Sequence, residues 1–274
     1  MRDVRVACGQ FMAEPGEKEK NVARMVGYAA QAREQGCTLI LFPELIVTGY
    51  LDPEQVAPLA EPVDGPSVQR LARAAGELGM AMAFGLAELD VARGVRYNSL
   101  VVVDGRGQVV AVYHKIHLWD QEKEWAEAGM TLPVFEVAGV RCGGWICYDT
   151  RFPEVGRMAA LAGADVGLVA TAWLGPVDEW ELALRARALD NSMYVVGADI
   201  VNPDPALRCL GASLIVGPRG HVLARARLEQ EGIIHAVLEG GALERQRQRV
   251  RLLQERRPEV YGGLEDWKDR RMEG

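Results

Sequence analysis

Cys147 is the residue of this sequence best placed to act as a nucleophile. It follows the apolar run GGWI and precedes YDTRFPE, where Pro153 begins a predicted helix, so the thiol lies in a strand-to-helix turn. The backbone N–H groups of the turn and the helix N-terminus favour a thiolate. No histidine is placed by the sequence to activate this cysteine, which leaves a carboxylate as the candidate base. The remaining cysteines are predicted to be buried and inert: Cys8, Cys37, Cys142 and Cys209.

Glu44 and Lys115 are the charged residues predicted to assist this thiol. Glu44 closes the strand LILFPE, in which Pro43 ends the hydrogen-bonded ladder, and the apolar segment LIVTGY follows it. A partly desolvated carboxylate suits a general base. Lys115 lies in VYHKIHLWD among large apolar neighbours, where a fixed cation can stabilise a developing negative charge. Taken alone, a glutamate in this position is more often a surface charge at a strand end.

The elements that must position these residues alternate between strand and helix patterns. The apolar periodicity predicts a strand at 4–9, a helix at 17–35, the strand CTLILF, a helix at 67–78 and the strand MAMAFGL. This succession predicts an α/β domain whose strands are buried on both faces. Because each of the three residues follows a predicted strand, they can converge at one sheet edge.

Two similar hairpins indicate an internal repeat: SLVVVDGRGQVVA at 99–111 and SLIVGPRGHVLA at 213–224. We expect strands near 80–86 and 139–146 around the first hairpin. Strands near 165–171, 193–199 and 232–238 are expected around the second. Two such mixed sheets, each covered by helices, predict a four-layer α-β-β-α sandwich.

The domain organisation follows from the lack of a linker between the two halves. We predict a single domain over residues 1–255, because no stretch rich in glycine, serine or proline divides it. The tail at 256–274 contains few apolar residues and is expected to run over the surface or against a partner subunit.

Composition excludes several classes of partner. Among 274 residues, 31 basic and 38 acidic side chains give a net charge of −7, without a basic face for nucleic acid or anionic lipid. A run of about 18 apolar residues that could span a bilayer is missing, as is a signal-peptide pattern, so a cytoplasmic protein is expected. Five widely spaced cysteines make disulfides improbable. His114 and His117 have no third ligand nearby in the sequence, and we predict neither a metal nor a cofactor.

The motifs around the three residues resemble the nitrilase superfamily of carbon-nitrogen hydrolases. The resemblance covers nearly the whole chain and rests on FPELIVTGY, YHKIHLWD and WICYDTRFPE, with NSMYVVGA and GPRGHVLA further on. It implies an α-β-β-α sandwich that pairs through helices into homodimers or larger homo-oligomers. It also implies a Glu-Lys-Cys triad, here Glu44, Lys115 and Cys147, that acts on non-peptide C–N bonds.

The resemblance also suggests further site residues. A second glutamate follows the lysine in many members, and in EKEWAEAG the matching position is Glu122, with Glu124 as the rival. Two positions depart from the pattern, since Ala128 replaces the usual proline and Ala126 a common aromatic residue. In the family, the residue equivalent to Arg151 supports the cysteine loop. Tyr148-Asp149 after the cysteine resembles amidases and N-carbamoyl hydrolases, whereas nitrilases of the family usually carry Trp-Glu.

These residues suggest amide hydrolysis through a thioester. Glu44 would take the thiol proton, and Lys115 and the backbone N–H of Tyr148 would hold the oxyanion. Glu122 would position the substrate amino group or the water. Tyr50 and Trp173 are candidates for the pocket wall, although Trp173 could instead belong to the core or an interface. The alternatives are N-carbamoyl hydrolysis, nitrile hydrolysis and a catalytically silent binding protein on the same fold.

Overall fold

The computed structural model describes residues 1–205 and 207–261. The first half of the chain forms β1 (Val4–Gln10), α1 (Lys18–Glu34), β2 (Leu39–Leu41), α2 (Pro53–Val56), α3 (Pro66–Leu78), β3 (Ala81–Asp90), β4 (Val95–Val103) and β5 (Val109–His114). The second half forms β6 (Val134–Val137), β7 (Val140–Ile146), α4 (Pro153–Leu161), β8 (Val166–Thr171), α5 (Val177–Asn191), β9 (Tyr194–Asp199), β10 (Val201–Asn202), β11 (Cys209–Leu210), β12 (Leu214–Val216), β13 (Val222–Arg225), β14 (Gly232–Leu238), α6 (Gly240–Arg249) and α7 (Pro258–Tyr261). Short 3-10 helices lie at Ala57–Leu59, Asp120–Glu124 and Cys147–Arg151.

Most strands of the described residues belong to two six-stranded mixed sheets. The strand order is β14-β1-β2-β3-β4-β5 in the first sheet and β6-β7-β8-β9-β12-β13 in the second. In each sheet one antiparallel pair is followed by two parallel pairs and then by two antiparallel pairs. The internal repeat predicted from the two hairpins is therefore confirmed in strand order and direction.

The two sheets pack face to face, and helices cover their outer faces. α1 and α3 pack together over the first sheet, while α4 and α5 do so over the second. Gly144 of β7 lies against Leu100 of β4, where an added Cβ would come 2.6 Å from the leucine side chain. Only glycine lets the sheets approach so closely at this point. The predicted four-layer α-β-β-α sandwich is confirmed.

The predicted grouping of strands around the hairpins is wrong for two strands. The strand expected at 139–146 beside the first hairpin is β7, which pairs with β6 and β8 in the second sheet. The strand expected at 232–238 beside the second hairpin is β14, which pairs with β1. An apolar pattern shows that a strand is buried but not which sheet it completes, and here the chain crosses between sheets after each hairpin.

Helix boundaries follow the local sequence closely, as α3 illustrates. Pro66 occupies its first turn, Val68 and Leu71 are buried on one face, and Gly79 ends it with a left-handed φ of 59°. Among residues 1–205 and 207–261, no helix is both long and apolar enough to cross a membrane.

The predicted tail at 256–274 is only partly described. α7 lies within it and is exposed to solvent. Residues 262–274 lie outside the described part of the chain.

Candidate active site

Strand ends from both sheets meet at one edge of the sandwich, where the three residues selected from the sequence come together. Glu44 follows β2, Lys115 directly follows β5, and Cys147 directly follows β7. Gly85 of β3 makes room for this arrangement, because a Cβ there would come 2.2 Å from the backbone nitrogen of Leu45. The close approach of two backbones thus fixes where the Glu44 carboxylate can lie.

A buried ammonium between two carboxylates forms the charged centre of the site. Lys115 Nζ lies 2.8 Å from Glu44 Oε1 and 2.7 Å from the Glu122 carboxylate. Burial alone would lower the pKa of Lys115, but the two carboxylates outweigh it and raise that pKa well above its usual value. The lysine is therefore held in its charged form.

Glu122, rather than Glu124, is the second glutamate of this centre. Glu122 is 4% exposed, and its carboxylate also accepts a 2.8 Å hydrogen bond from the backbone nitrogen of Trp119. Glu124 is exposed to solvent. Burial raises the pKa of Glu122 to about 7 against the lowering influence of Lys115, and Glu44 adds to the rise. Near neutral pH this carboxyl group can therefore exist with or without its proton.

Asn98 joins the two carboxylates and was missed by the sequence analysis. Its fully buried amide nitrogen donates to Glu44 Oε1 at 2.7 Å and to Glu122 Oε1 at 3.0 Å. Asn98 lies in β4, one residue before the point where the predicted hairpin begins. A polar amide inside the apolar strand VRYNSLVVV was the available signal, because a buried amide needs hydrogen-bond partners.

The backbone of Ala172 touches both the carboxylate and the thiol. Its N–H donates to Glu44 Oε2 at 2.8 Å, and its carbonyl oxygen lies 3.7 Å from Cys147 Sγ, which donates to it. Ala172 directly follows β8, so the end of this strand contacts both Glu44 of the first sheet's edge and Cys147 of the second sheet's edge. No side-chain pattern in the sequence could identify a backbone contact of this kind.

The turn that carries Cys147 is strained at the cysteine itself and fixed by Asp149. Cys147 has a φ of 42°, a left-handed conformation that is costly for a residue with a Cβ. Asp149 is fully buried and accepts hydrogen bonds from Ile146 N at 3.1 Å, Tyr113 Oη at 2.7 Å and His117 N at 2.9 Å. These bonds hold the turn against β5 and the segment after it.

The thiol of Cys147 is neutral in this environment. Burial raises its pKa well above the usual value, and the Glu44 carboxylate raises it further, whereas Lys115 and the Thr171 hydroxyl lower it. The expected thiolate at the N-terminus of α4 is thus not formed, because burial outweighs the favourable charges. A base must take the proton when the sulfur reacts.

Arg151 makes its described contacts at the rim rather than in the cysteine turn. Its Nη2 lies 2.6 Å from Glu179 Oε2, and its guanidinium stacks over the Trp173 ring, 4.7 Å from the centroid. Both members of the ion pair are largely exposed. The turn is held by the hydrogen bonds that Asp149 accepts and by one from Arg187 Nε to the carbonyl oxygen of Thr150 at 3.1 Å.

A small pocket of about 120 Å³ opens onto Cys147. Its lining includes the aromatic residues Tyr50, Trp119, Tyr148 and Trp173. The two residues proposed as pocket walls, Tyr50 and Trp173, therefore both lie beside the thiol. Trp119 was not selected from the sequence.

The histidines near the site serve separate partners. His117 Nδ1 lies 2.8 Å from Asp149, and His114 Nε2 lies 2.9 Å from Glu88. Within the described part of the chain, no group of three or more histidine, cysteine, aspartate or glutamate side chains is arranged to hold a metal ion.

Comparison with known proteins identifies the family of the chain. The sequence model of the carbon-nitrogen hydrolases matches residues 5–248. The chain belongs to the carbon-nitrogen hydrolase family. Among curated proteins, this carbon-nitrogen hydrolase is 33% identical to the probable nitrilase C965.09 of Schizosaccharomyces pombe, over 94% of the chain and 97% of the relative.

Two solved structures extend the comparison. Nit3 of Saccharomyces cerevisiae, a member of branch 10 of the nitrilase superfamily, superposes on this carbon-nitrogen hydrolase with a TM-score of 0.86. The two are 28% identical, over 93% of this chain and 97% of Nit3. A variant of the amidase from Nesterenkonia sp. AN1, with the acetamide moiety of fluoroacetamide on its active-site cysteine, gives a TM-score of 0.79 at 29% identity, covering 94% and 95% of the two chains.

Proposed function

We propose that this carbon-nitrogen hydrolase cleaves the C–N bond of a small linear amide through a thioester on Cys147 and releases ammonia. The observation that carries the proposal is the fully buried pair of Glu44 and Lys115 beside a neutral thiol that faces a pocket. In a variant of the related Nesterenkonia amidase, the active-site cysteine carries the acetamide moiety of fluoroacetamide, and this reaction of the sulfur with a carbon centre supports a cysteine nucleophile here.

In the first step Glu44 takes the thiol proton. The carboxylate and the sulfur both contact Ala172, which keeps them next to each other for the transfer. As Cys147 Sγ bonds to the amide carbon, the carbonyl electrons move to oxygen. The Lys115 ammonium and the backbone N–H of Tyr148 stabilise this oxyanion.

The remaining steps return the enzyme to its starting state. The proton on Glu44 passes to the amide nitrogen, the C–N bond breaks and ammonia departs. Water then gives a proton to Glu44 as its oxygen bonds to the thioester carbon. The C–S bond breaks, the sulfur regains the proton and the acid leaves.

Glu122 has the role of orienting the substrate amino group or the water. Its carboxylate receives donors from Lys115 and Asn98, so its position is fixed before the substrate binds. The pocket of about 120 Å³ is well below the roughly 300–1,000 Å³ of sites for drug-sized ligands, which favours short amides.

Residues 1–255 are proposed to act as one domain within a homodimer. α4 and α5 pack against each other and expose apolar side chains: Met158, Leu161, Leu182 and Leu189. Such side chains on adjacent helices suit a subunit interface.

The proposal is tested by ammonia release from short aliphatic amides, ω-amides, N-carbamoyl amino acids and nitriles. We expect the wild type to prefer an amide and Cys147→Ala to release none. Cys37→Ala is the matched control, because this buried cysteine lies away from the site in the core between α1 and the first sheet. Equal ammonia release by wild type and Cys147→Ala would contradict the proposal. Preference for a nitrile or an N-carbamoyl amino acid would contradict its choice of an amide as the substrate.

A further inference from the structure

Asp199 is a buried carboxyl group next to the proposed site that no step of the reaction uses. It ends β9 and pairs in register with Thr171, the last residue of β8. It is 2% exposed. Burial and the like-charged Glu44 raise the pKa of Asp199 well above its usual value, against the lowering effect of hydrogen bonds from the backbone of Trp173 and Ile200. Its place in the fold therefore needs another explanation.

One hydrogen bond that Asp199 accepts comes from the peptide group that contacts Cys147. Asp199 Oδ1 accepts from the backbone N–H of Trp173 at 3.0 Å. This N–H belongs to the same planar peptide group as the carbonyl of Ala172, which accepts from Cys147 Sγ at 3.7 Å. When the N–H end of a planar peptide is fixed, the direction of its carbonyl is fixed as well.

The preceding peptide connects the same turn to the base. Ala172 N–H donates to Glu44 Oε2 at 2.8 Å, so a rotation of the turn would disturb both the carboxylate and the thiol. Trp173, the residue that Asp199 holds, also lines the pocket. One carboxyl group thus governs the contacts of the base, the nucleophile and a pocket wall.

We propose that Asp199 is a positioning residue that fixes the Ala172–Trp173 peptide and, through it, orients Cys147 toward Glu44 and the substrate. The inference rests on the proposed function, since it assigns Asp199 to the same reaction. The position of the acceptor oxygen is what matters, not the charge. The carboxyl group never contacts the reacting atoms.

Three substitutions distinguish the position of the acceptor oxygen from the presence of an acidic group at residue 199. Asp199→Asn keeps an acceptor oxygen at the same place and removes the acidic group, whereas Asp199→Glu keeps the acidic group and moves the acceptor by one methylene. Asp199→Ala removes both. We expect Asp199→Asn to retain kcat within about threefold, and Asp199→Glu and Asp199→Ala to lose about tenfold or more, mainly in kcat.

A second readout follows Cys147 itself and needs no substrate. The rate of Cys147 alkylation by iodoacetamide, measured by peptide mass spectrometry, should be near wild type in Asp199→Asn. It should fall at least about threefold in Asp199→Glu and Asp199→Ala. Ser213→Ala is the matched control, because Ser213 Oγ accepts from the backbone N–H of Asp199 at 3.0 Å without touching its carboxyl group. This control should lose stability but keep both rates within about threefold.

The outcomes distinguish the inference from the proposed function. Absence of ammonia release from wild type would contradict the proposed function, while the alkylation rates would still report on Asp199. Folded Asp199→Glu and Asp199→Ala proteins with wild-type alkylation and turnover would overturn the inference. So would an inactive Asp199→Asn beside an active Asp199→Glu, because an acidic group would then be the requirement. If Asp199→Ala does not fold, the Asn and Glu variants decide.

Discussion

The two sheets repeat one strand order but supply opposite kinds of group to the site. The first sheet contributes the charged residues, with Glu44 after β2 and Lys115 after β5. The equivalent positions of the second sheet carry no charge: Leu174 is the third residue after β8, as Glu44 is after β2, and the buried Ala226 directly follows β13 as Lys115 follows β5. The second sheet instead supplies the neutral Cys147 after β7.

The buried charged groups of the site therefore lie apart from the thiol of Cys147. Glu44, Lys115, Glu122 and Asn98 form a buried network in which both carboxylates accept from the lysine and from the amide without the thiol taking part. The thiol can therefore stay neutral until a substrate arrives. A change in the first sheet should disturb charge and stability together, whereas a change in the second should disturb orientation.

The largest effect is expected from Lys115→Ala, which removes the cation of the first sheet. Turnover should fall at least about a hundredfold, because a donor to the oxyanion is lost. The free energy of unfolding should also fall by about 3–5 kcal/mol, because two buried carboxylates lose their counterion. Both are measured by steady-state kinetics and urea unfolding.

The control for this variant is Lys123→Ala, an exposed lysine in the same region of the chain. It should leave turnover and stability unchanged. Near-normal turnover in Lys115→Ala would show that the charged cluster of the first sheet is not part of the reaction.

Asn98→Ala should lower kcat by about tenfold and stability by about 1–3 kcal/mol, because Glu44 and Glu122 each lose a buried donor. Ser99→Ala is the matched control on the adjacent position of β4, since Ser99 Oγ donates to Glu88 at 2.6 Å, outside the charged centre. Its stability should fall similarly while its kcat is kept. Equal kcat in the two variants would mean that Asn98 only stabilises the fold.

The pH dependence of the wild type should show the titration of Glu122. Because its pKa is raised to about 7, kcat/KM should rise with pH through this region as the carboxylate becomes available to orient the substrate. In Glu122→Gln this rise should be missing. An unchanged profile in the variant would assign the titration to another group.

Stability should change in the opposite direction to activity over the same pH range. The folded protein holds the Glu122 proton to higher pH than the unfolded chain does, where the carboxyl has its usual pKa of 4.5. The stabilisation is therefore fully present below this value and is lost as the pH rises through about 7. Glu122→Gln, whose amide does not titrate, should remove this part of the pH dependence of unfolding.

The sequence could predict the sandwich and the three residues at strand ends, because apolar periodicity and turn signals act locally. It could not predict which sheet receives β7 and β14, since partner choice depends on the assembled core. The same limit applies to the polar residues that hold the site. Asn98 and Asp149 gain their importance from the side chains that face them, and those come from distant parts of the chain.

The protonation of Cys147 shows a second limit of sequence reasoning. The helix that follows it favours a thiolate, and this much can be read locally. Burial and the carboxylate of Glu44 act only in the folded protein, and together they raise the pKa of the Cys147 thiol well above its usual value. The local sequence therefore indicates where a reactive cysteine could lie, but not the direction in which the fold shifts the pKa of its thiol.

The smallest effect is expected from Arg151→Gln, which tests what holds the turn of Cys147. Its ion pair with Glu179 is exposed, so the free energy of unfolding should change by at most about 1 kcal/mol and turnover only severalfold. Asp149→Ala should be far more destabilising, because the acceptor of several buried donors is removed. Thermal unfolding of both variants measures the contrast. If both variants lost the same amount of stability, Arg151 would support the cysteine turn as strongly as Asp149 does, which is the role that the family resemblance implies for it.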